Sequence, residues 1–170
     1  MSRRPPRLWQ RNAIACVIVA AAITVSVVTD LGPAWVSYRD TVRPQHVVPA
    51  GASATVAGQT WSVSAVRHLG RATGPGTRPL PHGAVMMTVT VDRSGSGRPE
   101  QWCMGVLTDG QRRWRGESPL MYGVRVADGA GSNCSRPGTQ QWIFLIPGDA
   151  VPTALDITGS ASAILVRLEL

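Results

Sequence analysis

Histidine is the first place to look for chemistry, because imidazole titrates near neutrality and is the commonest metal ligand. The chain carries three, His46, His68 and His82, and none stands at a ligand spacing from a cysteine, aspartate or glutamate. His46 lies in a polar stretch and His82 in Pro81-His82-Gly83, which reads as a turn, so both are expected in solvent. No G-x-S-x-G elbow presents a serine nucleophile. Gly129-Ala130-Gly131-Ser132 is glycine-rich, but no strand–helix unit surrounds it, and a phosphate cradle needs the N–H groups of a helix start. Glu100 and Glu117 could meet as a carboxylate pair, yet any two carboxylates of a small β domain would qualify equally. Asn133-Cys134-Ser135 matches a glycosylation sequon and is read as accidental. No catalytic residue, metal or cofactor is assigned, and an enzyme is the least favoured class.

Two groupings carry more. Cys103 and Cys134 form an even pair in the part of the chain expected outside the membrane, which reads as a disulfide. The loop so closed is about 30 residues, for which chain entropy alone predicts roughly 3–4 kcal/mol. The second grouping is Trp102, Arg112, Arg113, Trp114 and Arg115, the densest cluster of cations and aromatics. Asp109-Gly110 reads as a two-residue hairpin turn that sets Trp102 and Trp114 across from each other. Arginines on such an edge guard it against further pairing. Together with the tryptophans they also make a candidate docking patch for a partner protein or lipid headgroup. Trp61 and Trp142 are expected in the core.

The elements that position these residues follow from charge and periodicity. Among 170 residues the formal charge is +7, with 17 arginines and no lysine. Arg3, Arg4, Arg7 and Arg11 crowd the first twelve residues without an acid, and the rest of the excess is spread thinly. A nucleic-acid binder should show a clustered basic face with stacking aromatics, so that class is set aside. Asn12–Thr29 is an uncharged apolar run; as a helix it spans about 27 Å, close to the ~30 Å hydrocarbon core. Trp9 precedes it, and Trp35 and Tyr38 follow, where interfacial aromatics belong. The arginine bias then puts the N-terminus in the cytoplasm. The reading is a basic tail over residues 1–11, an inner-membrane signal-anchor helix over 12–36, a stalk over 37–53 and an extracytoplasmic domain over 54–170. The rival is a cleaved signal and a secreted domain, with Gly32-Pro33-Ala34 as the cleavage region.

From Ala54 the apolar period becomes two. Thr55–Val56 and Thr60–Val66 flank Gly58 as a hairpin, with Trp61, Val63 and Ala65 on one face. Ala84–Asp92 is the strongest strand, with Val85, Met87, Val89 and Val91 together. Trp102–Thr108, Gln111–Arg115, a weaker Tyr122–Val126, Gln140–Ile146, Ala154–Ile157 and Ile164–Leu170 follow. No helical period occurs after the stalk. The expected fold is mainly β: one transmembrane helix, then an immunoglobulin-like antiparallel β-sandwich.

The runs TVAGQTWSVSAV, PHGAVMMTVTVD, GVLTDGQRRW, RPGTQQWIFLIPGDAVPTALDI and AILVRLEL carry a resemblance. Over residues 55–170 the chain resembles a bacterial telokin-like domain family of unknown function. That resemblance implies an immunoglobulin-like sandwich, shared with a secreted mycobacterial immunoprotective antigen, and brings no catalytic residues. The expected role is a non-enzymatic accessory or scaffold protein in the bilayer, docked on other membrane or envelope proteins. A lipid or envelope-precursor binding module, with Met86, Met87, Met104 and Met121 as lining, is the alternative.

Overall fold

The computed structural model describes residues 8–71, 79–95, 102–134, 137–159 and 162–170. The chain divides into two compact units, Met1–Arg39 and Asp40–Leu170.

Helix α1 spans Leu8–Ser26, is apolar on every side and buries none of its residues. It passes through a π-helical turn, Val27–Leu31, into α2, Gly32–Val42. Pro33 accounts for the widened turn. Proline has no N–H to donate, and its ring crowds the carbonyl four residues back. The Gly32 N–H reaches five residues back instead, to the Val27 carbonyl. Thr24 and Thr29 donate to the carbonyls of Ala20 and Val25, at 2.9 and 2.8 Å, so both hydroxyls are satisfied without water. The helix Leu8–Val42 is long and apolar enough to cross a membrane, with a mean hydropathy of 2.4 over an 18-residue stretch.

The second unit is a sandwich of two sheets. The five-stranded sheet runs, in spatial order, β1 (Val47–Val48), β9 (Ile164–Glu169), β8 (Ala154–Thr158), β5 (Met104–Thr108) and β6 (Arg113–Arg115). The four-stranded sheet runs β2 (Ser53–Val56), β3 (Gln59–Gly70), β4 (Ala84–Ser94) and β7 (Gly138–Pro147). Every pairing is antiparallel except β1 with β9. The β2–β3 hairpin turns at Ala57-Gly58, both at positive φ (50° and 77°), the backbone twist that two-residue hairpins favour. Between the sheets lie Trp61, Val89, Leu107, Trp142, Phe144, Leu155 and Ile157, all buried. Met87, Val89 and Val91 face this core as the alternation of β4 predicts.

The opposite side of β4 is buried as well. Met86 joins Ile143 and Tyr122 in a second cluster, with Leu69, Leu80 and Leu145 against it. That cover explains why β4 and β7 read as nearly continuous apolar runs instead of alternating ones. The covering segment corrects one expectation: Tyr122–Val126 is not a strand. Pro119–Tyr122 forms a 3₁₀ turn, closed by Gly123 in the left-handed conformation, with the Tyr122 hydroxyl donating to Glu117 at 2.8 Å.

Three further expectations shift. The segment read as a stalk is partly sheet, because the Gln45 N–H donates to the Ile164 carbonyl at 3.2 Å, the Arg167 N–H donates to the His46 carbonyl at 2.8 Å, and β1 pairs with β9. The Trp61 face of β3 breaks at a bulge between Val63 and Ala65. The β5–β6 turn centres on Gly110-Gln111, one residue later than read, since Asp109 N–H bonds to the Arg112 carbonyl at 3.3 Å.

Candidate functional site

The β5–β6 hairpin splits the five-residue cluster between two faces. Residues two apart share a face of a strand, and the residue between them points the other way. Trp114 therefore turns inward and packs against the main core. Arg112, in the turn, lays its guanidinium over the Trp114 ring, 5.3 Å from the centroid, and pairs with Asp109 at 2.8 Å. Arg113 and Arg115 point outward. Trp102 lies before β5, so it does not oppose Trp114, whose partner is Leu107.

Trp102, Arg113 and Arg115 meet on the outer side of the five-stranded sheet, where a cleft of about 510 Å³ opens. That size falls within the range of ligand clefts, roughly 300–1,000 Å³. Met104 and Val106 of β5 form its apolar floor, and Thr41 and Thr158 add polar wall. Trp102 stands at its rim with 64% of its surface exposed, the most accessible tryptophan of the sandwich. Cys103, at the cleft wall, is bridged to Cys134, with 5.0 Å between their Cα atoms. The bridge fixes the chain on which Trp102 rides. The Arg115 Nε contacts the Met104 sulfur.

Beside the cleft a charge cluster organises the sheet. Asp156, on the middle strand β8, is fully buried. Arg167 of β9 grips it with Nε at 2.6 Å and Nη2 at 2.9 Å, and Arg113 reaches it from β6 at 3.1 Å. The hydrogen bonds that Arg167 donates to Asp156 raise its guanidinium above its ordinary range. Arg113 also donates to the Thr41 carbonyl at 3.0 Å, which ties the residues ahead of β1 to the cleft wall. Sequence reading missed this triad. The signal was there in weak form: Asp156 and Arg167 each sit as the one charge between apolar neighbours, in Leu155-Asp156-Ile157 and Val166-Arg167-Leu168.

The core under the hairpin is equally particular. The Trp142 ring lies against Gly105 and Gly116; a Cβ on Gly105 would come within 2.8 Å of it. Its Nε1 donates to the Ser132 carbonyl at 2.8 Å. Arg93 is buried over the Trp61 ring and donates to Gln59 at 2.9 Å and to the Cys134 carbonyl at 2.7 Å.

The remaining candidates stay apart. His46, His68 and His82 are all exposed, and among the described residues no group of three His, Cys, Asp or Glu is placed to hold a metal ion. Glu117 is half-buried under Tyr122, while Glu100 lies outside the described residues, as does Ser135 of the sequon. Met86 and Met87 are packed at 0% and 2% exposure, Met104 lines the cleft and Met121 is exposed, so the four form no common lining.

The fold defines the class: a β-sandwich protein with an apolar N-terminal helix. No protein-family model and no curated protein matches the chain. Among solved structures it is similar to MPT63, a secreted protein from Mycobacterium tuberculosis, with 16% identity, a TM-score of 0.47, and 75% of this chain and 98% of that one covered. It is also similar to an uncharacterized β-sandwich protein from Clostridium difficile 630, with 10% identity, a TM-score of 0.37, and 75% and 96% covered.

Proposed function

We propose that this is a non-enzymatic accessory protein of the cell envelope, with a sandwich of the telokin-like kind. Its N-terminal helix stays uncleaved in the inner membrane, the arginine-rich end is cytoplasmic, and the sandwich stands on the other side. There it docks on a neighbouring membrane or envelope protein. The observation that carries this is the cleft: an exposed tryptophan and an outward arginine over an apolar floor, the residue types that anchor protein interfaces. The disulfide supports an oxidising compartment for the domain. A lipid or precursor held between the sheets is less well supported, because Met86 and Met87 are already closed in by the protein's own side chains.

The test is capture of the full-length tagged protein from its own membranes, followed by native separation. Docking requires migration above the monomer with a defined neighbour, and loss of that neighbour in a Trp102→Ala, Arg115→Ala double variant of unchanged melting temperature. A lone monomer, or a neighbour indifferent to the double variant, would refute it.

A further inference from the structure

Strand β6 is the outermost strand of its sheet. Leu107 stands opposite Trp114, and the hydrogen bonds that extend this ladder join Asp109 to Arg112 and Gly116 to Gly105. Antiparallel ladders alternate hydrogen-bonded and non-bonded pairs. Arg113 and Arg115 therefore occupy the non-bonded positions, and their backbone N–H and C=O groups face away from β5 along the open edge. Their side chains share the outer face and line the cleft. Asp156 shares its one negative charge between Arg167 and Arg113, so an excess of positive charge stays at the Arg113 end, and exposed Arg115 has no carboxylate partner among the described residues.

We propose that an extended acidic segment of the neighbouring protein adds as a further strand to the β6 edge. Two carboxylates, spaced i and i+2, meet Arg113 and Arg115, and an apolar residue beyond them lies against Trp102. This rests on the docking reading above and names the chemistry of the partner. Residues opposite Arg113 and Arg115 in an added strand are two apart and share one face, so only alternate acids address both guanidiniums. Main-chain hydrogen bonds supply affinity in such additions, and the alternate side chains supply specificity. A second copy of this chain is a poor occupant. Antiparallel pairing of β6 with its own copy sets arginine against arginine. Nowhere in the 170 residues do two acids stand two apart.

The experiment uses the full chain in detergent micelles and a fluorescein-labelled, end-blocked peptide, TVEVEVT, read by anisotropy. Saturable binding that weakens as salt rises is expected. Arg115→Glu, at an exposed position, should melt normally and bind at least about tenfold more weakly. Trp102→Ala gives a second, charge-neutral loss. TVKVKVT should not bind. TVEVEVT methylated on the backbone nitrogens of both glutamates and the valine between them keeps every carboxylate but loses its strand hydrogen bonds, and should bind at least about tenfold more weakly. Absence of binding, equal binding of the methylated peptide, or indifference to Arg115→Glu would each overturn the proposal. Displacement of the labelled peptide by dihexanoyl phosphatidylglycerol at lower concentration than by unlabelled TVEVEVT would assign the cleft to a lipid headgroup and also overturn it. The two readings fail separately. If membranes yield a cleft-dependent neighbour while the peptides do not bind, docking stands and strand addition falls. If the peptide binds as expected and no neighbour is captured, the edge site stands and docking falls.

Discussion

Asp156 and Asp109 each pair with arginine, 2.6 Å from Arg167 and 2.8 Å from Arg112, yet they live in different media. Asp156 is fully buried mid-sheet, and its two arginines come from separate strands. Asp109 sits in a hairpin turn, its arginine three residues away and half in water. A similar pair of charges thus organises a sheet in one place and trims a loop in the other. Desolvation decides the difference: Asp156 has no exposed surface and must have its partners, whereas Asp109 keeps some access to water and pairs with a half-exposed arginine, so its pair gives way to solvent at smaller cost.

That contrast orders a series of substitutions, each read by urea denaturation of the full chain followed by tryptophan fluorescence. Asp156→Ala should have the largest effect. It strands Arg167 and Arg113 together on one patch of sheet, and a loss of about 2–4 kcal/mol is expected, at the lower end for broken buried pairs because both arginines retain some water. Replacing Asp156, Arg167 and Arg113 together by apolar residues should restore most of that loss, as it does where burial cost rivals Coulomb attraction. Arg167→Lys keeps the charge but loses the two-pronged grip, for about 1–2 kcal/mol. Arg113→Gln, at a guanidinium 39% exposed, should cost at most about 1 kcal/mol. Asp109→Asn should shift the midpoint least of the series, by less than Arg113→Gln. An Asp109→Asn effect equal to that of Asp156→Ala would break the comparison.

The pH dependence sharpens it further. The Arg112 backbone N–H at 2.6 Å, then its guanidinium, hold the Asp109 carboxyl at about 2, below its ordinary 3.8. A depressed carboxylate contributes stability above its unfolded value and loses it as pH falls through the folded one. The turn should therefore stay intact down to pH 3.8 and loosen on the way to about 2. The Arg112 amide resonance in an acid NMR titration reports this; a midpoint near 3.8 would mean that the turn contacts do not act on Asp109 in solution.

Much of the framework was legible beforehand. Patterning located β3, β4, β5, β7, β8 and β9 to within a few residues: β3, β5 and β9 because one face lies against the core and the pleat imposes its period, and β4, β7 and β8 because apolar runs covered on both faces are bounded by turn residues. Trp61 and Trp142 went to the core as read, and Cys103 met Cys134. Tyr122–Val126 misled for a physical reason: its apolar residues cap a second cluster on the outer face of a sheet, and a cap has no period of its own. Val47–Val48 was too short to show any period, and it is a strand only because β9 offers it an edge. At the cleft, sequence supplied the residue types but joined Trp114 and Arg112 to a face they do not share. The missed signal was alternation: Trp114 stands one residue from Arg113 and from Arg115, so it points to the opposite face wherever the turn is centred.

Composition and local pattern alone determined the long apolar helix, the alternating strands and the even cysteine pair, since each is set by neighbours within a few residues. Only the tertiary structure decided that Asp156 would gather arginines 11 and 43 residues away, and that Trp102 would share a cleft with Arg115 rather than a hairpin with Trp114. Those outcomes depend on strand order and register, which are fixed by the collective burial of both sheets and by no single stretch of chain.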